Sequence, residues 1–164
     1  VKSPAEVVVG TLHLLGDFKF PKRGIFEVAL GCRYMGQDLL NPPSVEGWHT
    51  GEEWIDSGSL VERMNFVADQ VSDIEQPGVR AMVDALLDRT AELDPLSVID
   101  GCLELLGHVR LHEKNKEHLA GEIRSMLDQR SGLVAGSPEE RLSAEKTVLH
   151  TMKMIGSSRE YQFS

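Results

Sequence analysis

The chain lacks most of what marks a known chemistry on sight. Only 5% of its 164 residues are aromatic and two are cysteine. No apolar run nears the ~18 residues of a membrane-spanning helix, and no charged, apolar and small leader pattern is present. Residues alone therefore leave localisation open. Cys32 and Cys102 have neither a CxxC spacing nor an adjacent histidine, which excludes the common zinc and redox patterns. They read as buried small hydrophobes, with a disulfide or a reactive thiol as the alternative. Basic residues are short as well: 17 against 26 acidic ones give a formal charge of -9, spread along the chain and not gathered in one tail. Nucleic-acid phosphates and an anionic membrane are excluded as main partners, since both demand a basic patch.

What is there is helical period. The length fits one domain, 1–164, with enough chain to bury a core without staples. Ser3, Pro4 and Glu6 make a capped helix start, and the Val8, Leu12, Leu15 spacing predicts a helix to about Leu15, stopped by Gly16. The β-branched run Val7-Val8-Val9 is also compatible with a strand. Because this segment is apolar nearly all round, it should be a central, buried helix. Asp17 to Pro21 reads as a loop. From Lys22 or Arg23 to about Asp38, the positions Ile25, Val28, Ala29, Cys32 and Met35 mark an amphipathic helix. Ser59 with Glu62 looks like a second capping box before the stripe Leu60, Met64, Val67, Ala68, Val71. Three more starts follow at Pro77, Asp94-Pro95 and Ser137-Pro138, and another helix runs through Leu119, Ile123, Met126 and Leu127 to near Gly132. The last helix ends at Gly156. The fold class is all-α, an irregular bundle of about seven helices.

Val7 to Gly16 (VVVGTLHLLG) and Val98 to Gly107 (VIDGCLELLG) share a valine, a mid-helix glycine and a closing Leu-Leu-Gly. Duplication is one reading and chance similarity of apolar helices the other. Gly10 and Gly101 should mark close helix approaches, since a mid-helix glycine otherwise costs ~1 kcal/mol.

One long Pro/Gly/Trp-rich loop interrupts the helices. Pro42-Pro43 forbids helix there, and Ser44 to Gly58 should be irregular, with glycines for its turns. The strings KSPAEVVVGTLHLLG, MGQDLLNPPSVEGWHTGEEWIDSGSLVERMNF and IGSSREYQFS together resemble the C-terminal part of the bacterial domain-of-unknown-function family 1800. Its pattern runs K-S-P-x-E, then M/L-G-Q-x-L-F-x-P-P-N-V-x-G-W-x-G-G-x-x-W-I, then L-x-x-R-x-N-F. The resemblance implies a helical domain at the end of a larger protein, with a helical region before it, and export from the cytoplasm. It implies no reaction. Thr50 departs from the pattern's second glycine.

The same loop holds the candidate site: Trp48, His49, Glu52, Glu53, Trp54 and Asp56, with Glu46 beside them. Converging carboxylates and an imidazole are what a divalent cation needs, but no EF-hand or HExxH spacing is present. Two carboxylates between tryptophans would suit a glycan, bound or hydrolysed. The stronger reading is structural: Trp48, Trp54, Pro42 and Pro43 pin a long irregular segment between two helices, and Arg63 and Asn65 donate to its free carbonyls. His108 and His112 have the i, i+4 spacing of a metal pair, with His118 further on, but Gly107 separates them from a shared helix. His13 and His150 read as rim residues. Ser57, Ser59 and Thr50 near His49 suggest a nucleophile and base, without the strand and elbow that would mount them. No catalytic residue, metal or cofactor is assigned. The expected role is a structural or protein-interaction module, its partner a preceding N-terminal region or another protein. The alternative is a glycan-binding or hydrolytic enzyme whose site includes the loop and is completed by that region.

Overall fold

In the computed structural model the described residues are 1–18, 23–89, 94–107, 109–129 and 136–163. Among them are eight α-helices, one 3-10 helix (Gly51–Trp54) and no strand: α1 (Pro4–Leu14), α2 (Ile25–Tyr34), α3 (Ser57–Ser72), α4 (Pro77–Arg89), α5 (Pro95–Leu105), α6 (Glu113–Asp128), α7 (Pro138–Gly156) and α8 (Arg159–Gln162). The all-α bundle is as the periodicity indicates, with α8 as the addition. Ser158 caps it by accepting the Tyr161 N–H at 3.2 Å.

Helix starts follow the caps closely. The Ser3 hydroxyl accepts the Glu6 N–H while the Glu6 carboxylate accepts the Ser3 N–H at 2.7 Å, closing the box. Asp94 and Ser137, each before a proline, cap α5 and α7 by accepting the Ser97 and Glu140 N–H, without the reciprocal bond. His112 caps α6, its Nδ1 accepting the Lys114 N–H. Three boundaries differ from expectation. At α2, Gly24 stands before the first turn with φ +98°, and the helix stops at Tyr34 because Gly36, at φ +95°, reverses the chain. The start of α3 belongs to Asp56 and not to Ser59 with Glu62: the Asp56 carboxylate accepts from the Gly58 and Ser59 amides at 2.7 and 2.8 Å. The predicted end near Gly132, the loop residues 19–21 and the start at Lys22 lie outside the described residues.

Helices α3 and α7 form the centre and share the largest helix–helix surface. Val67, Val71, Val148, Met152 and Ile155, all fully buried, belong to one continuous apolar cluster with Val8, Ile99 and Ile123. Burial of such side chains, about 1.5–3 kcal/mol each, drives the assembly. Helix α1 is peripheral, contrary to its all-round apolar pattern: Val9 is 61% exposed, and Gly10 faces open space among the described residues. Of the two glycines expected to mark close approaches only Gly101 does, and Gly78 is a further one. A Cβ on Gly78 would overlap the Leu15 carbonyl, and one on Gly101 would overlap the Leu86 side chain. A polar seam adds to the centre, with Arg80 and Arg141 both meeting Glu145 and Arg141 also meeting Asp84, joining α4 to α7.

Candidate functional site

The loop between α2 and α3 is built from its ends. At its start the Gln37 N–H donates to the Cys32 carbonyl at 2.9 Å, which turns the Gln37 side chain inward. Its Oε1 accepts the Ala5 N–H at 2.8 Å, one of the first-turn amides of α1 that no helix bond can satisfy. The loop thus closes the far end of another helix. Sequence reasoning missed this residue; its signal was the M-G-Q string, a left-handed glycine followed by a side chain that can accept.

Beyond Gln37 the chain runs on the surface. Leu40 has φ +67° and is 99% exposed. Pro42 and Pro43 are exposed too, so they stiffen the backbone without filling the gap between helices. Ser44 to Gly47 is a tight turn, with the Gly47 N–H on the Ser44 carbonyl at 3.1 Å. The 3-10 helix follows, its start closed by Glu53, whose carboxylate accepts the Thr50 N–H at 3.1 Å.

The candidate residues differ in burial and in partners. Trp54 is 5% exposed, while Trp48 is half-buried and His49, Glu46, Glu52 and Glu53 are exposed. His49 sets its ring edge to face with Trp54, centroids 5.8 Å apart at 88°, and its Nδ1 lies 3.8 Å from the Glu53 carboxylate. Asp56 is engaged as the α3 cap. The Ser59 and Gly58 amides, with the Ser59 hydroxyl, hold its carboxyl below the ordinary value of 3.8. The Ser59 hydroxyl lies 2.8 Å from the Trp54 carbonyl and 3.0 Å from the Asp56 N–H. It donates to the first and accepts from the second, so the last turn of the loop is tied to the first turn of α3.

Arg63 and Asn65 do not hold the loop. Arg63 is fully buried, and its Nη2 donates to the Lys2 carbonyl at 2.8 Å, before α1. Its Nε and Nη1 have no acceptor among the described residues, and burial lowers its pKa against the opposing pull of Glu6. Asn65 is exposed.

Other candidates are dispersed. His118 and His150 approach the two oxygens of Glu122 at 3.4 and 3.2 Å, a contact between α6 and α7. His108 lies outside the described residues. Among the described residues no three His, Cys, Asp or Glu side chains stand as a metal-binding set. Cys32 and Cys102 are free and buried. Burial raises both thiols, Cys102 to about 12, which leaves them little thiolate at neutral pH. One cavity, of about 330 Å³, lies between α6 and α7 and is lined by Met126, Leu142 and Lys146. Another, of about 510 Å³, lies where α1 ends against the α3–α4 turn, beside Asp17, Asp73 and Gln76. The loop lines neither of these two. No helix of the described residues is long and apolar enough to cross a membrane.

Comparison with curated proteins and with solved structures gave no match. The family comparison did find a match, and it spans the capped start of α1, the loop and the α7–α8 end. There, residues 1–163 match the model described as protein of unknown function (DUF1800), and the chain belongs to that family.

Proposed function

We propose that this chain is a single non-catalytic helical module, the C-terminal part of a larger protein, that packs against a preceding helical region or a protein partner. The observation that carries this reading is a set of large apolar side chains left in solvent on α2 and the turn after it. Ile25, Phe26 and Tyr34 are 63%, 68% and 65% exposed, and Leu40 follows them. Apolar exposure grouped on one element is what a contact surface presents, whereas scattered single residues would not call for a partner. The loop acts as a clasp: Gln37 closes α1, Trp54 is buried, and Asp56 caps α3. Its remaining acids, Glu46, Glu52 and Glu53, are exposed.

The test is a binding screen of the protein against oligosaccharides and divalent cations, run on the parent chain and on Glu53→Gln and Trp54→Ala. The expected outcome is no saturable ligand, a silent Glu53→Gln and a destabilised Trp54→Ala. A glycan or cation that binds the parent chain and is lost in a fully folded Glu53→Gln would replace the clasp with a ligand site.

A further inference from the structure

The two halves of the bundle give α2 an internal reference. Helix α1 packs on α2 and α3 as α5 packs on α6 and α7, and α3 meets α7 across the middle. Positions facing the core correspond at one constant spacing: Val7 with Val98, Val8 with Ile99 and Leu15 with Leu106, then Val28 with Leu119 and Cys32 with Ile123. Helix α6 therefore shows what the place of α2 requires.

On their outer sides the two helices part. The row Phe26, Leu30 and Tyr34, at four-residue steps along α2, stands where Glu117, Gly121 and Ser125 stand on α6. Phe26 and Tyr34 are exposed and Leu30 is half-buried, outside the apolar cluster. The three α6 residues are all exposed. The same place in the same packing thus takes polar or small residues when water is its neighbour, so the fold does not account for the apolar row on α2. The two borders of that row differ in charge. Arg33 lies on one side with Ile25 and Ala29, and exposed Glu27 lies on the other. Arg33 reaches Asp38 of its own chain only at 4.0 Å.

We propose that this face of α2 pairs with the same face of a second copy of the chain, the two α2 helices running parallel about a two-fold axis. The proposal rests on the docking role given above and names its partner. A two-fold contact must be complementary to itself, and a face with opposite charges on its two borders meets that condition where a face of one sign does not. With the axis along the helices, Phe26, Leu30 and Tyr34 meet their own counterparts, while the Glu27 border faces the border with the partner's Arg33. That contact occurs twice. The two positions are six residues apart, about 9 Å of helix rise, a step that a glutamate and an arginine side chain span between them. An antiparallel pair would set Glu27 against the partner's Glu27, so the charges select the parallel one.

The test is sedimentation velocity and light scattering on the full chain from about 10 μM to 1 mM, a range suited to a contact at the small end of protein interfaces. A monomer–dimer equilibrium is expected, and Phe26→Ser should weaken it about tenfold or more while leaving the circular dichroism unchanged. Glu27→Arg should weaken it as well, and adding Arg33→Glu in the same chain should restore it. The parent chain remaining monomeric throughout, or dimerisation indifferent to Phe26→Ser or to Glu27→Arg, would overturn the proposal. A monomeric chain that couples to a different protein through a photo-reactive phenylalanine analogue at position 26 overturns the second copy and leaves the docking role standing. A monomeric chain that binds a glycan or a divalent cation through Glu53 overturns both.

Discussion

Arg63 invites a test whose sign follows from the structure. A guanidinium with no exposed surface and one hydrogen bond, to the Lys2 carbonyl, leaves Nε and Nη1 without an acceptor among the described residues. Each such donor costs about 1–3 kcal/mol, and the charge itself has lost its water; the bond to Lys2 returns about 1.5–3 kcal/mol. Methionine has a stem of similar length and no donor, so Arg63→Met keeps most of the packing and removes the uncompensated groups. The expected gain is about 1–3 kcal/mol, in the range seen when buried charges are replaced by apolar side chains. For a chain of this size that is a rise in Tm of roughly 2–12 °C. Urea unfolding and thermal melts followed by circular dichroism would measure it. Arg63→Ala, which also removes the stem, should be destabilised and calibrates the packing share. A fall in Tm for Arg63→Met would refute the reasoning, because the charge would then hold the start of α1 more strongly than its burial penalises it.

Other expectations follow from the same geometry. Trp54→Ala should lose about 3–5 kcal/mol in denaturant unfolding, and Trp48→Ala clearly less, since Trp48 is only half-buried; equal losses would contradict the clasp. Gly78→Ala should cost about 4 kcal/mol or more, because the new Cβ meets the Leu15 backbone carbonyl and neither backbone can yield. Gly10→Ala should instead stabilise by about 0.5–1 kcal/mol, so melts of the two variants should move in opposite directions. Asp56 has a lowered folded pKa, so its cap is complete above the unfolded value of 3.8 and is lost as pH falls through the lower folded one. Parent protein should therefore lose more stability than Asp56→Asn on going from pH 5 to pH 2, and parallel pH profiles would show that the carboxylate is not the cap.

Much of this architecture was legible in residues. Pro4, Pro95 and Pro138, each after a side chain that can cap, set three helix starts that the structure keeps. The α3 start was misplaced because Ser59 has partners on both sides. Its spacing to Glu62 imitates a box, while the competing Asp56 carboxylate reaches two amides at once. Helix α1 is apolar nearly all round, a pattern that implies a central position. Val9 and Gly10 lie on the side that no helix of the described residues covers, which only tertiary packing decides. The loop was recognisable as special, yet the roles of Gln37 and Arg63 depend on long-range contacts with Ala5 and Lys2. Local pattern carries no information about such pairs.

The Ser59 hydroxyl has a kinetic consequence. It bridges the Trp54 carbonyl and the Asp56 amide, while Ile55 N–H closes the 3-10 turn on Glu52 at 2.9 Å. The turn and the first residues of α3 therefore share their hydrogen bonds and open as one cooperative unit. Amide exchange at Ile55, Gly58 and Ser59 should report a single opening free energy. Ser59→Ala should split that one value into two, with the turn exchanging faster than the helix it used to open with.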